Sequence, residues 1–355
     1  MTLTFNRGTN ISHWLSQSKR RGVERRDWFT QADMQRIADW GFDHIRLPVD
    51  EVQMWDDSGA QESEAFDLLD SALDWAAEAG LSTVVDLHTL RCHHFTRKED
   101  QRLFTDPVEA ERFANFWREL SQRLRRRLNA TVAYELMNEP VADRCDDWNR
   151  VAMLAFQAIR DSEPKRHILL GSNRWNSVTT FDELHVPEDK NTTLAFHFYF
   201  PMLVTHYRAS WWPDVGFYDG PIQYPGEPVP ASALATLEEG QRRKLLELNQ
   251  PYARSSIVAD LAKPLAVARR TGLRLHCGEF GVINSTPPAV RDAWYRDVIS
   301  VFNEYGIAWA NWDYKGEFGI INGCGQSTGI ADVILSTPAD DMRLPEAASP
   351  LQCTR

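Results

Sequence analysis

The feature that most constrains the fold is a regular alternation of short apolar segments with longer amphipathic ones. Such an alternation predicts βαβ units, in which helices connect the neighbouring strands of a parallel sheet. Eight apolar segments have the length of strands, and they lie around Asn10 and at 44–49, 82–88, 132–138, 167–172, 193–199, 274–279 and 308–313. The pattern therefore predicts an α/β fold, a single (β/α)8 TIM barrel domain over residues 1–355.

The segments between the predicted strands carry the start and stop signals of helices. Thr30 is placed to cap a helix that ends at Gly41, and Asp106 followed by Pro107 begins another. No repeat, low-complexity tract or linker divides the chain. The proline- and alanine-rich tail from Thr337 onward is expected to be partly disordered.

A long insertion after the sixth strand interrupts this rhythm. Residues 201–236 are rich in proline, glycine and aromatics, and a charged helix follows near 238–249. Loops of this length usually serve a site, so the 201–250 excursion is expected near a cleft. Its candidate ligand-binding residues are Trp211, Trp212, Tyr218 and Tyr224. A peripheral flap that packs on itself is an equally open interpretation.

Charge and cysteine usage exclude several partner classes. With 39 basic and 50 acidic side chains the net charge is -11, which opposes nucleic-acid binding. No run of about twenty apolar residues predicts a membrane span. Five widely spaced cysteines without a CxxC pair, and no signal peptide at the start, favour a cytoplasmic protein, or a secreted one if a signal was removed. Oligomeric state cannot be predicted from these features.

Polar and aromatic residues recur at the carboxyl ends of the predicted strands. In a parallel barrel these ends meet at one face, where the active sites of this fold lie. Singly, each residue has a structural explanation, but their common position predicts one cleft. The eight residues are Arg46, His88, Asn138, Glu139, His197, Tyr199, Glu279 and Trp312.

Two of these residues, Glu139 and Glu279, are carboxylates on opposite sides of the predicted barrel mouth. Glycosidic cleavage requires such a pair: one acid protonates the departing oxygen and the other faces the oxocarbenium-like carbon. Arg46 and Tyr199 are expected to hydrogen-bond Glu279 and keep it ionised, whereas burial and the charge of Glu279 keep Glu139 protonated. Asn138 is expected to bind a sugar hydroxyl. The predicted roles are acid/base for Glu139 and nucleophile for Glu279.

The ordered motifs IRLPV, DLH, MNEP, HFYF, CGEFG and ANWDYKG resemble those of glycoside hydrolase family 5, the cellulase-like family of clan A. The resemblance extends from Arg7 to about Asp332. It implies a retaining glycosidase of the barrel fold, with the same two glutamates as catalytic pair and Trp312 as the platform beneath the sugar. His88 and His197 would contact hydroxyls or the acid/base.

The loop after the third strand departs from the pattern of many family members, since it reads HTLRCHHF. His93 and His94 raise the possibility of a metal site with His88, but no acidic ligand lies in HxxE or HExxH spacing. Sugar contacts or a structural role are favoured, and neither a metal nor another cofactor is expected.

The expected substrate is a β-linked glucan-like or mannan-like chain. The long sixth loop leaves open whether the cleft is an endo-acting groove or a closed pocket that acts on short oligosaccharides or β-1,3-linked chains. A non-catalytic carbohydrate-binding barrel and a metal-dependent hydrolase are the competing classes. Retention of both glutamates opposes the first, and the absence of a ligand cluster in the sequence opposes the second.

Overall fold

The structure, a computed structural model, describes residue 3 and residues 5–336. Eight parallel strands form a closed barrel in sequence order, with the first strand paired to the eighth. This confirms the predicted barrel fold. The strands are β1 (Arg7–Asn10), β2 (His44–Asp50), β3 (Ser82–Thr89), β4 (Val132–Glu135), β5 (His167–Gly171), β6 (Thr192–Phe198), β7 (Leu275–Phe280) and β8 (Ala308–Asn311).

Apart from β8, which ends at Asn311, two residues before its predicted end, the predicted strand ends agree with these bounds to within one residue except at the end of β4. This strand stops at Glu135, three residues before the predicted end. The amide of Leu136 still bonds the Leu169 carbonyl at 3.2 Å, after which the chain leaves the ladder. Residues 136–139 therefore form a loop at the barrel mouth. The predicted disorder from Thr337 onward lies outside the described residues.

Helices connect successive strands and cover the outside of the barrel. They are α1 (Gly22–Trp28), α2 (Gln31–Asp39), α3 (Glu51–Met54), α4 (Ser63–Glu78), α5 (Arg102–Thr105), α6 (Pro107–Leu124), α7 (Cys145–Arg160), α8 (Asn173–Asn176), α9 (Met202–Thr205), α10 (Pro213–Gly216), α11 (Ala231–Leu234), α12 (Glu239–Leu248), α13 (Arg254–Asp260), α14 (Ala262–Thr271), α15 (Pro288–Glu304) and α16 (Ile330–Ile334), with a 3-10 helix at Val178–Glu183.

Capping chemistry explains where two of these helices begin. The Thr30 hydroxyl accepts a hydrogen bond from the Asp33 amide, and the Asp33 carboxylate accepts one from the Thr30 amide. This reciprocal capping box satisfies donors that the first turn of α2 leaves unpaired. Asp106 accepts from the Val108 amide at 2.9 Å and Pro107 follows in the first turn of α6. Both predicted starts are confirmed.

The 201–250 excursion contains short helices α9 to α11 and the charged helix α12. Its inner surface packs into the main hydrophobic cluster through Leu203, Val204, Val229 and Leu245. Within the described residues no helix has the length and hydropathy to cross a bilayer.

Candidate active site

The guanidinium of Arg46, on β2, is the centre of the barrel mouth. Its Nε donates to Glu135 Oε2 at 2.7 Å, and its Nη1 donates to Glu279 Oε1 at 2.8 Å and Asn10 Oδ1 at 2.9 Å. Its Nη2 lies 3.0 Å from Asp86 Oδ2. The arginine is fully buried, so these carboxylates supply the counter-charge that a cation needs in a low dielectric.

Glu279, on β7, is held by two donors. Arg46 binds one oxygen, and the Tyr199 hydroxyl donates to the other at 3.0 Å. Burial nevertheless raises the pKa of Glu279 to about 8, while Arg46 and Tyr199 act in the opposite direction. The expected hydrogen bonds are present, but they do not lower the pKa below its usual value, because burial outweighs them and the nearby acids Asp86 and Glu135 raise it further.

Glu139 lies opposite, in the loop beyond β4, with a backbone φ of 46°. Its Oε1 is 2.9 Å from His197 Nδ1, and a Glu139 oxygen lies within 4.8 Å of a Glu279 oxygen. Burial and then the charge of Glu279 raise the pKa of Glu139 well above its usual value. Among the described residues no arginine forms an ion pair with Glu139, whereas Arg46 donates to Glu279, so the carboxyl of Glu139 retains a proton more strongly than that of Glu279.

His88 and Trp312 lie beside the carboxylate pair and stack on each other. Their rings are 3° from parallel with centroids 5.7 Å apart. His88 Nδ1 is 2.8 Å from Asp86 Oδ2, and burial lowers the pKa of His88 to about 3, so the ring is neutral. Asn138 Oδ1 accepts from Arg46 Nη2 at 3.1 Å. All eight residues predicted from the strand ends thus lie around one mouth.

The aromatic residues of the excursion divide into two groups. Trp211 is 55% exposed, and its Nε1 donates to Glu317 Oε2 at 2.9 Å in the loop after β8. Trp211 and the half-buried Trp212 both contact the ring of His206, which in turn contacts Tyr199. The two tryptophans therefore reach the edge of the mouth.

Tyr218 and Tyr224 make their hydrogen bonds inside the protein, which opposes the ligand-binding role expected of them. Both are buried, and the Tyr218 hydroxyl donates to the Pro221 carbonyl whereas that of Tyr224 donates to Asp297 on α15. Tyr218 packs within the excursion, and Tyr224 joins the excursion to α15. The part of the excursion that contains Tyr218 and Tyr224 thus fits the alternative prediction of a flap packed against protein.

The two histidines of the third loop have structural contacts. His93 is buried, its Nε2 lies 3.3 Å from the Glu139 carbonyl, and its ring packs edge-on against Phe104. His94 bonds Thr96 within the loop. His93 thus supports the backbone of Glu139.

Across residues 3 and 5–336, one group has three potential metal-binding side chains with ligand atoms mutually within 4.8 Å: Glu139, His197 and Glu279. Arg46 already donates to Glu279, and His197 is hydrogen-bonded to Glu139. A divalent ion there would lie beside a guanidinium, whose charge opposes a second cation. The arrangement fits a proton-transfer pair with its hydrogen-bonding partners better than a metal centre.

Several residues of the site were not identified from the sequence. Asn10, Asp86 and Glu135 surround Arg46, and Asn176 bonds His197 from behind. The available signal was a polar side chain inside an otherwise apolar strand, as in VVDLH and VAYEL. Such residues are buried only with a partner, so they indicate an ion-pair network.

A closed parallel barrel with two carboxyl groups facing each other across its mouth defines a class of enzyme, the barrel-type glycoside hydrolases. Comparison with known proteins gives the family. Residues 7–318 match the model of the family described as Cellulase (glycosyl hydrolase family 5). The chain therefore belongs to glycosyl hydrolase family 5, which confirms the resemblance identified from the motifs.

Curated relatives match along most of their length. Endoglucanase C of Acetivibrio thermocellus is 31% identical over 324 residues, which cover 88% of this chain and 92% of the relative. Cellodextrinase A of Ruminococcus flavefaciens is 29% identical, covering 85% and 83% of the two chains. Cellulose synthase subunit Z of Clostridioides difficile superposes with a TM-score of 0.76 at 23% identity, over 94% of this chain and 100% of the other, a likeness of fold.

Proposed function

We propose that the protein hydrolyses β-1,4-linked glucan chains with retention of anomeric configuration. The observation that carries the proposal is the approach of Glu139 and Glu279 oxygens to within 4.8 Å. Retaining glycosidases place their carboxyl groups about 5–5.5 Å apart, whereas inverting enzymes need about 6.5–9.5 Å to admit a water. The relatives named endoglucanase and cellodextrinase support a glucan as the substrate.

In the first step, the Glu279 carboxylate attacks the anomeric carbon while protonated Glu139 donates its proton to the departing glycosidic oxygen. The pKa values of both glutamates are raised by burial, and Arg46 and Tyr199 oppose this effect at Glu279. When the pair holds one proton, Glu139 retains it. That distribution of one proton is the reactive state of the pair.

In the second step, Glu139 acts as a base. Once Glu279 forms an ester with the sugar its negative charge is gone, and this removes part of the repulsion that kept Glu139 protonated. Glu139 can then take a proton from water, which attacks the anomeric carbon and releases Glu279. One residue thus serves as acid and base in turn.

The remaining residues of the mouth are proposed to bind the sugar. Trp312 offers a ring face for stacking, and neutral His88 offers Nε2, a buried ring nitrogen for which the described part of the chain supplies no hydrogen-bond partner. Asn138, whose Oδ1 is bound to Arg46, offers its amide nitrogen to a hydroxyl next to the reacting carbon. Trp211 and Trp212 are proposed to stack against a more distant sugar unit.

A second candidate is exo-type action on short oligosaccharides. The hydrogen bond from Trp211 to Glu317 joins the β6 excursion to the loop after β8 and raises the wall of the mouth there. A wall on one flank shortens the groove available to a long polymer. The product profile on cellulose, barley β-glucan, mannan and cello-oligosaccharides distinguishes the two modes, since endo action yields mixed oligomers from the start.

The test of the acid/base assignment is Glu139→Ala with an activated aryl β-cellobioside. Good leaving groups need little protonation, so the glycosyl-enzyme should form but hydrolyse slowly, and azide should restore turnover and give a β-glycosyl azide. Glu188→Ala, at an exposed glutamate before β6, is the matched control and should behave as the wild type. Absence of azide rescue would contradict the role, and sugar binding without turnover by the wild type would indicate a non-catalytic barrel.

A further inference from the structure

His197 contacts the carboxyl of Glu139, and behind it lies an asparagine that none of the motifs includes. Asn176 is fully buried, and its Nδ2 is 3.4 Å from His197 Nε2 and 3.5 Å from Glu135 Oε1. On the other side of the ring, His197 Nδ1 is 2.9 Å from Glu139 Oε1. The imidazole thus connects the amide of Asn176 to the proposed acid/base.

The backbone that delivers Asn176 is in an unusual conformation. After β5 ends at Gly171, Arg174, Trp175 and Asn176 have φ values of 57°, 64° and 52°. Left-handed backbone costs about 1 kcal/mol or more per non-glycine residue. A run of three is maintained by its surroundings, because Asn173 bonds both backbone groups of Ala142 and the Trp175 amide donates to the Pro140 carbonyl.

Two glycines make the space for this contact. A Cβ on Gly171 would lie 2.5 Å from Asn176 Oδ1, and one on Gly278 would lie 3.2 Å from His197 Nε2. Side chains at these two strand positions would separate the amide from the imidazole. The site is therefore built so that Asn176 and His197 meet.

The charges around Asn176 determine which end of its amide faces His197. Glu135 is bonded by Arg46 through both of its oxygens and accepts hydrogen bonds as a carboxylate. An amide oxygen turned toward it would repel it, so the NH2 group faces Glu135 Oε1 and His197 Nε2. An Nε2 that accepts a hydrogen bond has no proton, and a neutral imidazole then carries its proton on Nδ1.

A second contact leads to the same tautomer. His197 Nδ1 faces Glu139 Oε1 and also lies 3.5 Å from Glu279 Oε2. A nitrogen lone pair there would point at acceptor oxygens of two carboxyl groups, whereas an N–H is attracted to them. Burial keeps the ring neutral by lowering the pKa of His197 well below its usual value.

We propose that Asn176 is a positioning residue for acid/base catalysis: it holds His197 in the Nδ1–H tautomer, which donates to Glu139 Oε1 and leaves Oε2 to carry the catalytic proton. This inference rests on the proposed function of Glu139. In the opposite tautomer Nδ1 would accept a hydrogen bond from a protonated Oε1, and the acid proton would be directed at the histidine instead of the glycosidic oxygen. With Nδ1 protonated, Oε1 accepts a hydrogen bond in both steps and only Oε2 gains and loses a proton.

The direct test is the 15N spectrum of the histidine rings in wild-type protein labelled at histidine, with the His197 signals assigned by their loss in His197→Gln. We expect the Nδ1 shift of a protonated nitrogen and the Nε2 shift of an unprotonated one at neutral pH. The reverse pattern overturns the proposal. The measurement does not depend on turnover. A wild-type protein without glycosidase activity would refute the proposed function, and the spectrum would still determine the tautomer of His197.

The kinetic test uses Asn176→Gly, because glycine adopts a φ of 52° without strain and the variant should fold. We expect kcat/KM to fall at least about tenfold for phenyl β-cellobioside, which needs protonation, and by less than about threefold for the 2,4-dinitrophenyl substrate. Arg174→Gly, in the same left-handed turn but with its side chain bonded to the Asp143 carbonyl, should keep the leaving-group dependence of the wild type. Equal losses on both substrates in Asn176→Gly would show a merely structural role.

Discussion

The two ends of the barrel both bury polar side chains, but with opposite electrostatics. At the carboxyl end, Arg46 lies among Asp86, Glu135 and Glu279, all buried. At the amino end, His44 and His276 meet with their Nε2 atoms 3.1 Å apart.

Burial leaves two histidines of the amino end, His167 and His276, uncharged at neutral pH. It lowers the pKa of His276 well below its usual value and that of His167 to about 4, and the ring of Phe5 packs against all three imidazoles. The two neutral rings of His167 and His276 are buried at little electrostatic cost, whereas the mouth retains charges that are expensive to bury. The comparison indicates that the mouth is organised for chemistry and the amino end for stability.

The largest expected effect is at the mouth. Glu279→Ala should lower kcat by about 10⁴-fold or more, because it removes the proposed nucleophile, which would form the covalent bond to the sugar. Steady-state hydrolysis of an aryl β-cellobioside measures it, and binding of cello-oligosaccharides by calorimetry should persist. Activity within tenfold of the wild type would remove Glu279 from the mechanism.

The next effect concerns stability. Arg46→Met should destabilise the fold by about 3–5 kcal/mol, since it leaves three buried carboxyl groups without their cation. Urea denaturation at pH 7 measures the loss, which should shrink at pH 5 as the acids become protonated. Arg118→Met, at an exposed ion pair on α6, is the control and should change stability by less than about 1 kcal/mol. An unchanged midpoint in Arg46→Met would contradict the role of the charge network.

The smallest effect is at the amino end. Because the pKa of His276 is lowered on folding, the unfolded chain binds a proton below about pH 6.5 that the folded protein does not. The contribution of neutral His276 to the free energy of unfolding is therefore complete above about pH 6.5 and is lost as the pH falls below that value. His276→Gln should keep kcat/KM and reduce the pH dependence of the unfolding free energy between pH 6.5 and 5 by up to one proton. An unaltered slope would show that His276 does not titrate as described.

The strands and the residues at their ends could be predicted because the pattern that reveals them is local. Parallel barrel strands are apolar runs bounded by helix signals, and their last residues share one face by topology alone. That reasoning placed Arg46, Glu139 and Glu279 together although 233 residues separate the first from the last.

The supporting residues could not be predicted in the same way. Asp86 and Glu135 act through pairing across the barrel, and the position of Asn176 depends on a left-handed turn that asparagine alone does not predict. The pKa of Glu279 could not be predicted either. Burial raises it although Arg46 acts against this, and the extent of burial and the number of acids around Arg46 are known only from the folded site. In the excursion, the sequence could not separate exposed Trp211 from buried Tyr218.

The most direct test of the central claim is the anomeric configuration of the first product, followed by 1H NMR during rapid hydrolysis of a cello-oligosaccharide. The geometry of Glu139 and Glu279 predicts that the β-anomer appears first and then mutarotates to the equilibrium mixture. Initial formation of the α-anomer would mean that water attacks the sugar directly, and it would contradict the role of Glu279 as nucleophile.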